Sequence, residues 1–288
     1  MQVFSIKKID FNKKKYYIIM VCSADKILLN SDLSDPKVNY NLTSAGNPIS
    51  HRSSSPVGVL LLHGFTGTPH SMQHLADTCI RAGYNVECPC FAGHGTHWRE
   101  MNKVNWKDWL QDAQNALQLL TMRSTHVFIA GLSMGGALAF LVKSEEKIKG
   151  IILINHALFV IHNWKARMLS VCSFFLPGVW SGPSDISDFA ASANAYPWIP
   201  LRALRSFLRI TGLAKKAHSA ITVPVLIFKS IQDRVISIHS VWYTLREIKC
   251  TVIHLVWLQN SRHTATADYD KTIISGRTLA FIKDTLQQ

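Results

Sequence analysis

From Val57 onward the chain alternates short apolar runs with amphipathic stripes, and this alternation constrains its architecture more than any other feature. Val57 to Leu62 carries no polar side chain, as expected of a strand buried on both faces. Residues 71–82 then place Met72, Leu75, Ala76, Cys79 and Ile80 at i, i+3, i+4, i+7 and i+8, one face of a helix. Gly83 stands where a left-handed C′ residue would end that helix. Residues 84–88, 125–130, 148–154, 223–228 and 251–258 read as further strands. Residues 106–122, 135–142, 241–248 and 271–286 read as helices. Strands that alternate with helices are joined by right-handed crossovers, so the expected fold class is α/β, a mostly parallel central sheet flanked by helices.

Two regions break the pattern. Residues 158–220 hold no clear strand; they contain Met168-Leu-Ser-Val-Cys-Ser-Phe-Phe-Leu176, several prolines and a short helical stretch over 201–210. They read as an insertion of short helices and turns, apolar enough to cap a greasy pocket. Residues 1–55 have weak periodicity and end in a polar, turn-rich stretch. The expected organisation is an N-terminal extension over 1–55 and one domain over 56–288, with the insertion at about 158–220. At 288 residues and 48% apolar, the chain can build one such core.

Charge and cysteines narrow the class. Lysine plus arginine number 31 against 18 acids, a net charge of +13 that favours acidic partners. The surplus includes a Lys13 to Lys15 run and Arg202, Arg205 and Arg209 at helical spacing, but no nucleic-acid motif accompanies it. No nucleic-acid partner is expected, and at most weak contact with an anionic membrane surface. Lys13 to Lys15 precede an apolar run ending near Cys22, in the manner of a signal segment. That run is at the lower length limit, and Val21 is bulkier than lipid-modified cysteines prefer before them. No run reaches the ~18 apolar residues of a spanning helix. The six cysteines form no disulfide framework and no zinc-site spacing. A cytoplasmic protein with reduced thiols and no metal is expected, and nothing fixes its oligomeric state.

The chemistry is carried by residues 131–135, Gly-Leu-Ser-Met-Gly, set between a predicted strand and a predicted helix. In that setting a G-x-S-x-G holds a nucleophile on a sharp turn, its glycines letting strand and helix pass closely. The helix N-terminus then points amides at a developing oxyanion. Ser133 is therefore the candidate nucleophile. His63-Gly64-Phe65-Thr66-Gly67 follows the first strong strand, and acyl transfer needs two amide donors; those of Phe65 and Met134 are the candidates.

A serine hydroxyl needs a base, and the base an orienting acid. Six histidines follow Ser133. His156, His162 and His218 border the insertion, His239 sits in a helix and His254 inside an apolar strand. His263 lies in the loop between the last strand and the last helix, at the sheet edge where functional loops gather. Asp233 follows the preceding strand at the same edge. Asp268 and Asp270 read as helix N-terminal charges, Asp185 and Asp188 as solvent-facing, and His63 as a structural hydrogen-bonding residue.

With these residues in place, the chain resembles the bacterial carboxylesterases and monoacylglycerol lipases of the α/β-hydrolase superfamily, from about residue 57 to 286. The resemblance is carried by Leu61-Leu-His-Gly-Phe-Thr-Gly-Thr-Pro69, Gly83-Tyr84, Gly93-His-Gly-Thr96, Trp106-Lys-Asp-Trp109, Gly131-Leu-Ser-Met-Gly-Gly136, Ile221-Thr-Val-Pro-Val225 and Asn260-Ser261 with His263. It implies an α/β-hydrolase fold with a small helical cap, Ser133 as nucleophile, Asp233 as acid, His263 as base, and the Phe65 and Met134 amides as oxyanion donors. It implies no cofactor, and a small-molecule substrate with an apolar acyl chain: a short- to medium-chain ester or a monoacylglycerol. Arg262 departs from the small residue common before the histidine, and Ala92 from a frequent proline. Hydrolysis of amides or other bonds on the same triad, or a non-catalytic ligand-binding shell, are the alternatives.

Overall fold

A computed structural model describes residues 5–11, 14–20, 46–142, 146–182, 185–188, 195–250 and 252–287. Lys13 and Cys22 lie outside these residues. Strands β1 (Ser5–Phe11) and β2 (Lys14–Met20) pair antiparallel as a separate two-stranded sheet. The main sheet begins at β3 (Ile49–His51), inside the stretch expected to be an extension. It continues with β4 (Val57–Leu62), α1 (Gln73–Arg81), β5 (Asn85–Cys88), α2 (Trp106–Thr121), β6 (His126–Leu132), α3 (Met134–Ala139) and β7 (Ile148–Ile154). After β7 come α4 (Asn163–Val171), β8 (Gly178–Trp180), β9 (Trp198–Pro200) and α5 (Leu201–Ala217). The chain closes with β10 (Val225–Ser230), α6 (His239–Glu247), β11 (Ile253–Leu258) and α7 (Lys271–Leu286).

Seven strands run in the order β11-β10-β7-β6-β4-β5-β3, all neighbours parallel except β3 against β5. The expected parallel α/β sheet is the one found. Its two faces explain why β4 lacks alternation. Leu60 and Leu62 pack into a core with Trp109, Ala113, Leu117 and Leu120 of α2. Val59 and Leu61 pack on the other face with Leu75, Ala76 and Cys79 of α1 and Phe281 and Ile282 of α7. A parallel strand covered by helices on both sides has no wet face to mark.

The insertion departs from the reading in two ways. β8 and β9 form a short antiparallel pair where no strand is apparent in the sequence. α5 runs seven residues past Ile210, through Gly212, to Ala217. An interior glycine costs about 1 kcal/mol, but Ile210, Thr211 and Ala214 are all buried against the body of the protein, and that packing carries the helix onward.

Candidate active site

The β6–α3 turn is built around Ser133, whose φ of 54° and ψ of −113° lie outside the regions ordinary residues favour. Such a conformation costs of order 1–3 kcal/mol and persists only where its surroundings fix it. Here the Ser133 amide donates to the Ile154 carbonyl at 3.0 Å, and its own carbonyl accepts from Ala137 and Ala157 at 3.2 and 3.0 Å. The flanking glycines are sterically required. A Cβ on Gly135 would stand 2.0 Å from the Leu62 oxygen, and one on Gly131 would stand 2.4 Å from the Gly135 carbonyl carbon. Strand and helix therefore cross at backbone contact, which lifts the serine to the C-terminal edge of the sheet.

The chain brings the two other predicted residues to that serine. The Ser133 hydroxyl and His263 Nε2 are 2.9 Å apart, and His263 Nδ1 lies 3.1 Å from Asp233 Oδ1. With Nδ1–H donating to the carboxylate, Nε2 is left to accept from the serine hydroxyl. The Asp233 side chain is fully buried and that of His263 is 12% exposed. Oδ1 also accepts the amides of Val235 and Ile236 at 2.9 and 3.0 Å. Oδ2 is met by the Lys229 ammonium at 2.5 Å, which also donates to the Ile236 carbonyl at 2.7 Å. Burial alone would raise the Asp233 pKa. The charges and hydrogen bonds of His263 and then Lys229 outweigh it and hold the carboxyl well below the usual range. Burial lowers the pKa of Lys229, against the pull of Asp233.

The loop bearing His263 is braced by residues whose role the sequence hides. The Asp268 carboxylate accepts the amides of Ser187, Asp188, Arg262 and Tyr269, each at 2.8–2.9 Å. Asp270 accepts the amides of Asn260 and Ser261 at 2.9 Å. Both stand at the N-terminal end of α7 as their positions suggest, Asp270 as its N-cap residue, but both are buried and taken up by this loop. Asn155, at the end of β7, donates to the His263 carbonyl at 2.8 Å and to the Ser230 hydroxyl at 2.9 Å. Asp185 is half-buried rather than solvent-facing: its carbonyl accepts from the Thr264 amide, next to the histidine.

The two candidate amides flank the serine. Met134 opens α3, so its N–H has no acceptor within the helix. Phe65 lies in a turn closed by the Gly67 amide on the Gly64 carbonyl at 3.1 Å. That turn passes close to the serine, since a Cβ on Gly64 would stand 3.4 Å from Ser133 Cβ. His63 braces it: its Nε2 accepts the Phe91 amide at 3.2 Å, which leaves Nδ1 to donate to the Gly64 carbonyl at 3.0 Å. The Phe65 ring stacks on Phe207 of α5 with centroids 5.1 Å apart, so the cap meets the site through apolar rings.

The remaining histidines stand elsewhere. His156 and His218 are buried and meet at the Thr244 hydroxyl, at 2.8 and 3.1 Å. His239 contacts Ser237, and His254 packs on Phe281. Among the described residues no group of three or more His, Cys, Asp or Glu is arranged to hold a metal ion.

Residues 55–270 match the family described as "Serine aminopeptidase, S33". The chain is 36% identical over 245 residues to a thermostable monoacylglycerol lipase of Bacillus sp. (strain H-257), covering 84% of this chain and 96% of that one. It is 22% identical to a carboxylesterase of Bacillus subtilis (strain 168), covering 78% and 92%. Among solved structures, one from work on LipS and LipT, two metagenome-derived lipolytic enzymes, superposes with a TM-score of 0.78 at 36% identity. That match covers 84% of this chain and 99% of the other.

Proposed function

This chain belongs to the Serine aminopeptidase, S33 family, and from that premise we propose that it is a serine carboxylic-ester hydrolase acting through Ser133, His263 and Asp233. The observation that carries the reading is the continuous line of hydrogen bonds, 2.9 Å from serine to imidazole and 3.1 Å from imidazole to carboxylate. As the Ser133 oxygen attacks the ester carbonyl, its proton passes to His263 Nε2, and Asp233 stabilises the imidazolium. The Phe65 and Met134 amides hold the negative oxygen. The ester C–O bond then breaks, and His263 gives its proton to the departing alcohol. Water repeats the attack on the acyl-enzyme, losing a proton to His263, which returns it to Ser133 as the carboxylic acid leaves.

The substrate class follows from two supports. Relatives at 36% and 22% identity are named for monoacylglycerols and carboxylic esters. The Phe65–Phe207 stack puts apolar surface on the very residue whose amide is a predicted oxyanion donor, which suits an acyl chain. A short- to medium-chain ester or monoacylglycerol is the reading, with the hydrolase domain running from β3 at Ile49–His51 rather than from residue 56, and about 158–220 as its cap. The described cysteines are free thiols, which suits a cytoplasmic enzyme. Arg205 and Arg209 are exposed on the cap, which suits weak contact with an anionic surface.

Turnover of p-nitrophenyl butyrate by wild type and Ser133→Ala tests the assignment, and equal rates overturn it. The family's description favours one second reading, hydrolysis of amides on the same triad. A substrate panel that ranks aminoacyl amides above esters of equal length selects that reading.

A further inference from the structure

The outer face of the cap carries a groove that the reaction leaves unused. It lies between α4, α5 and the start of α2, encloses about 520 Å³, and has Trp106 at its α2 side. Arg167 and Ser170 reach it from α4, and Arg205, Ser206 and Arg209 from α5. Arg202, grouped with two of these by helical spacing, is exposed but does not line it. No carboxylate lines the groove, and none of its three arginines is ion-paired among the described residues. Three permanent cations gathered without a counter-charge repel one another, and an anion with several oxygens removes that repulsion. Guanidinium forks flanked by hydroxyls match the oxygens of a phosphate group.

The rim of this groove is apolar and uncovered. Seven of the thirteen exposed large apolar side chains among the described residues fall between positions 164 and 180. Trp164, Met168 and Val171 share one face of α4, and Phe174 and Phe175 follow, 70% and 89% exposed. Rim and groove are continuous, because the Arg205 guanidinium lies 5.7 Å from the centre of the Phe174 ring. Contiguous exposed apolar surface of this kind marks an interaction site. A nucleic-acid duplex would satisfy the arginines and leave the aromatic strip in water, and a single strand, whose bases stack on flat rings, would find no use for Met168, Val171 and Leu176. A lipid layer satisfies both, with phosphate at the arginine level and acyl chains below it.

We propose that the Arg167–Arg205–Arg209 groove binds the phosphodiester head groups of anionic phospholipids and, with its apolar rim, seats the cap on a lipid surface. The proposal deepens the weak anionic contact suggested above and does not depend on which residue performs hydrolysis. The test is binding of the full chain to phosphatidylcholine vesicles with and without phosphatidylglycerol at low salt, followed by co-sedimentation. Binding requires phosphatidylglycerol and weakens as salt rises. Arg205→Gln/Arg209→Gln loses about 25-fold in affinity, at about fivefold or about 1 kcal/mol per basic residue. Phe174→Ser/Phe175→Ser also weakens binding, and both double variants hydrolyse a soluble ester at the wild-type rate. Equal binding to both vesicle types overturns the proposal, as does undiminished binding by the arginine variant. Saturable binding of inorganic phosphate without vesicle binding overturns the lipid assignment.

Discussion

Replacing Lys229 by methionine tests whether the charge buried behind Asp233 tunes the triad. The ammonium and the carboxylate are 4% and 0% exposed and 2.5 Å apart, so neither is compensated by water. Removing one partner of a buried pair typically costs 3–5 kcal/mol. Two features of this site pull the figure down: Oδ1 keeps its three donors, and burial already makes the Lys229 cation unfavourable. A loss of about 2–3 kcal/mol follows, which for a chain of this size lowers the melting temperature by roughly 5–10 °C. Asp233 has a depressed pKa, so it stabilises the fold above the ordinary carboxylate value near 3.9 and loses that contribution as pH falls through its folded value. Without Lys229 the folded value is less depressed, so that contribution is smaller and is exhausted at a higher pH.

The cation also opposes the imidazolium formed during catalysis. The two cations contact opposite oxygens of one carboxylate, and at an effective dielectric of about 20 like charges several ångströms apart oppose each other by about 2 kcal/mol. Removing the ammonium favours the protonated imidazole, so the acid limb of kcat/KM moves to higher pH, while the plateau rate changes only a fewfold. Thermal unfolding and the pH–rate profile on a soluble ester are the two readouts. A variant that melts early but keeps the wild-type acid limb would show that Lys229 only fills space and pairs a charge. One that also melts normally would refute the reasoning altogether.

Asp268→Ala orphans four main-chain amides around the His263 loop, and an unsatisfied buried amide costs about 1–3 kcal/mol. The variant should lose at least about 3 kcal/mol in denaturant unfolding and most of its turnover; a wild-type melt with full activity contradicts the brace. Burial holds His94 at about 4, His156 at about 3 and His218 at about 4, so the unfolded chain takes up protons from about pH 6.5 downward that the folded one refuses. Stability is whole above about pH 6.5 and falls as pH drops toward 4, and equal urea midpoints at pH 7 and 5 count against this. Gly135→Ala drives a methyl into the Leu62 carbonyl, so the expected product is insoluble or unfolded protein. A soluble variant with wild-type far-UV circular dichroism and turnover would rule out the crossing as described.

What the sequence discloses here depends on how far apart the interacting residues stand. The parallel sheet is legible because each strand is a compact apolar run and each helix a local stripe. Ser133 is legible because its strained turn, its glycines and its following helix all fall within a few residues. Asp233 and His263 are legible by rule, since both follow strands at one edge of a parallel sheet. The bracing of His263 is different in kind. Asn155 reaches its carbonyl across 108 positions, and Asp268 takes the Ser187 amide across 81. Just ahead of a helix, Asp268 has the local features of a helix N-terminal charge, and only the folded loop supplies the amides that also engage it. The end of α5 fails for the same reason, because Gly212 argues locally for a stop and distant packing overrides it. Lys229 stands between these cases. In the sequence β10 reads as 223–228, which leaves Lys229 outside it; the structure carries the strand on to Ser230 and buries the lysine, and a buried ammonium demands an anion. The nearest carboxylate along the chain, four residues on, is the predicted catalytic acid. Only the fold shows that this ammonium is buried against the triad's acid, and this makes the pH profile of the methionine variant the sharper of its two readouts.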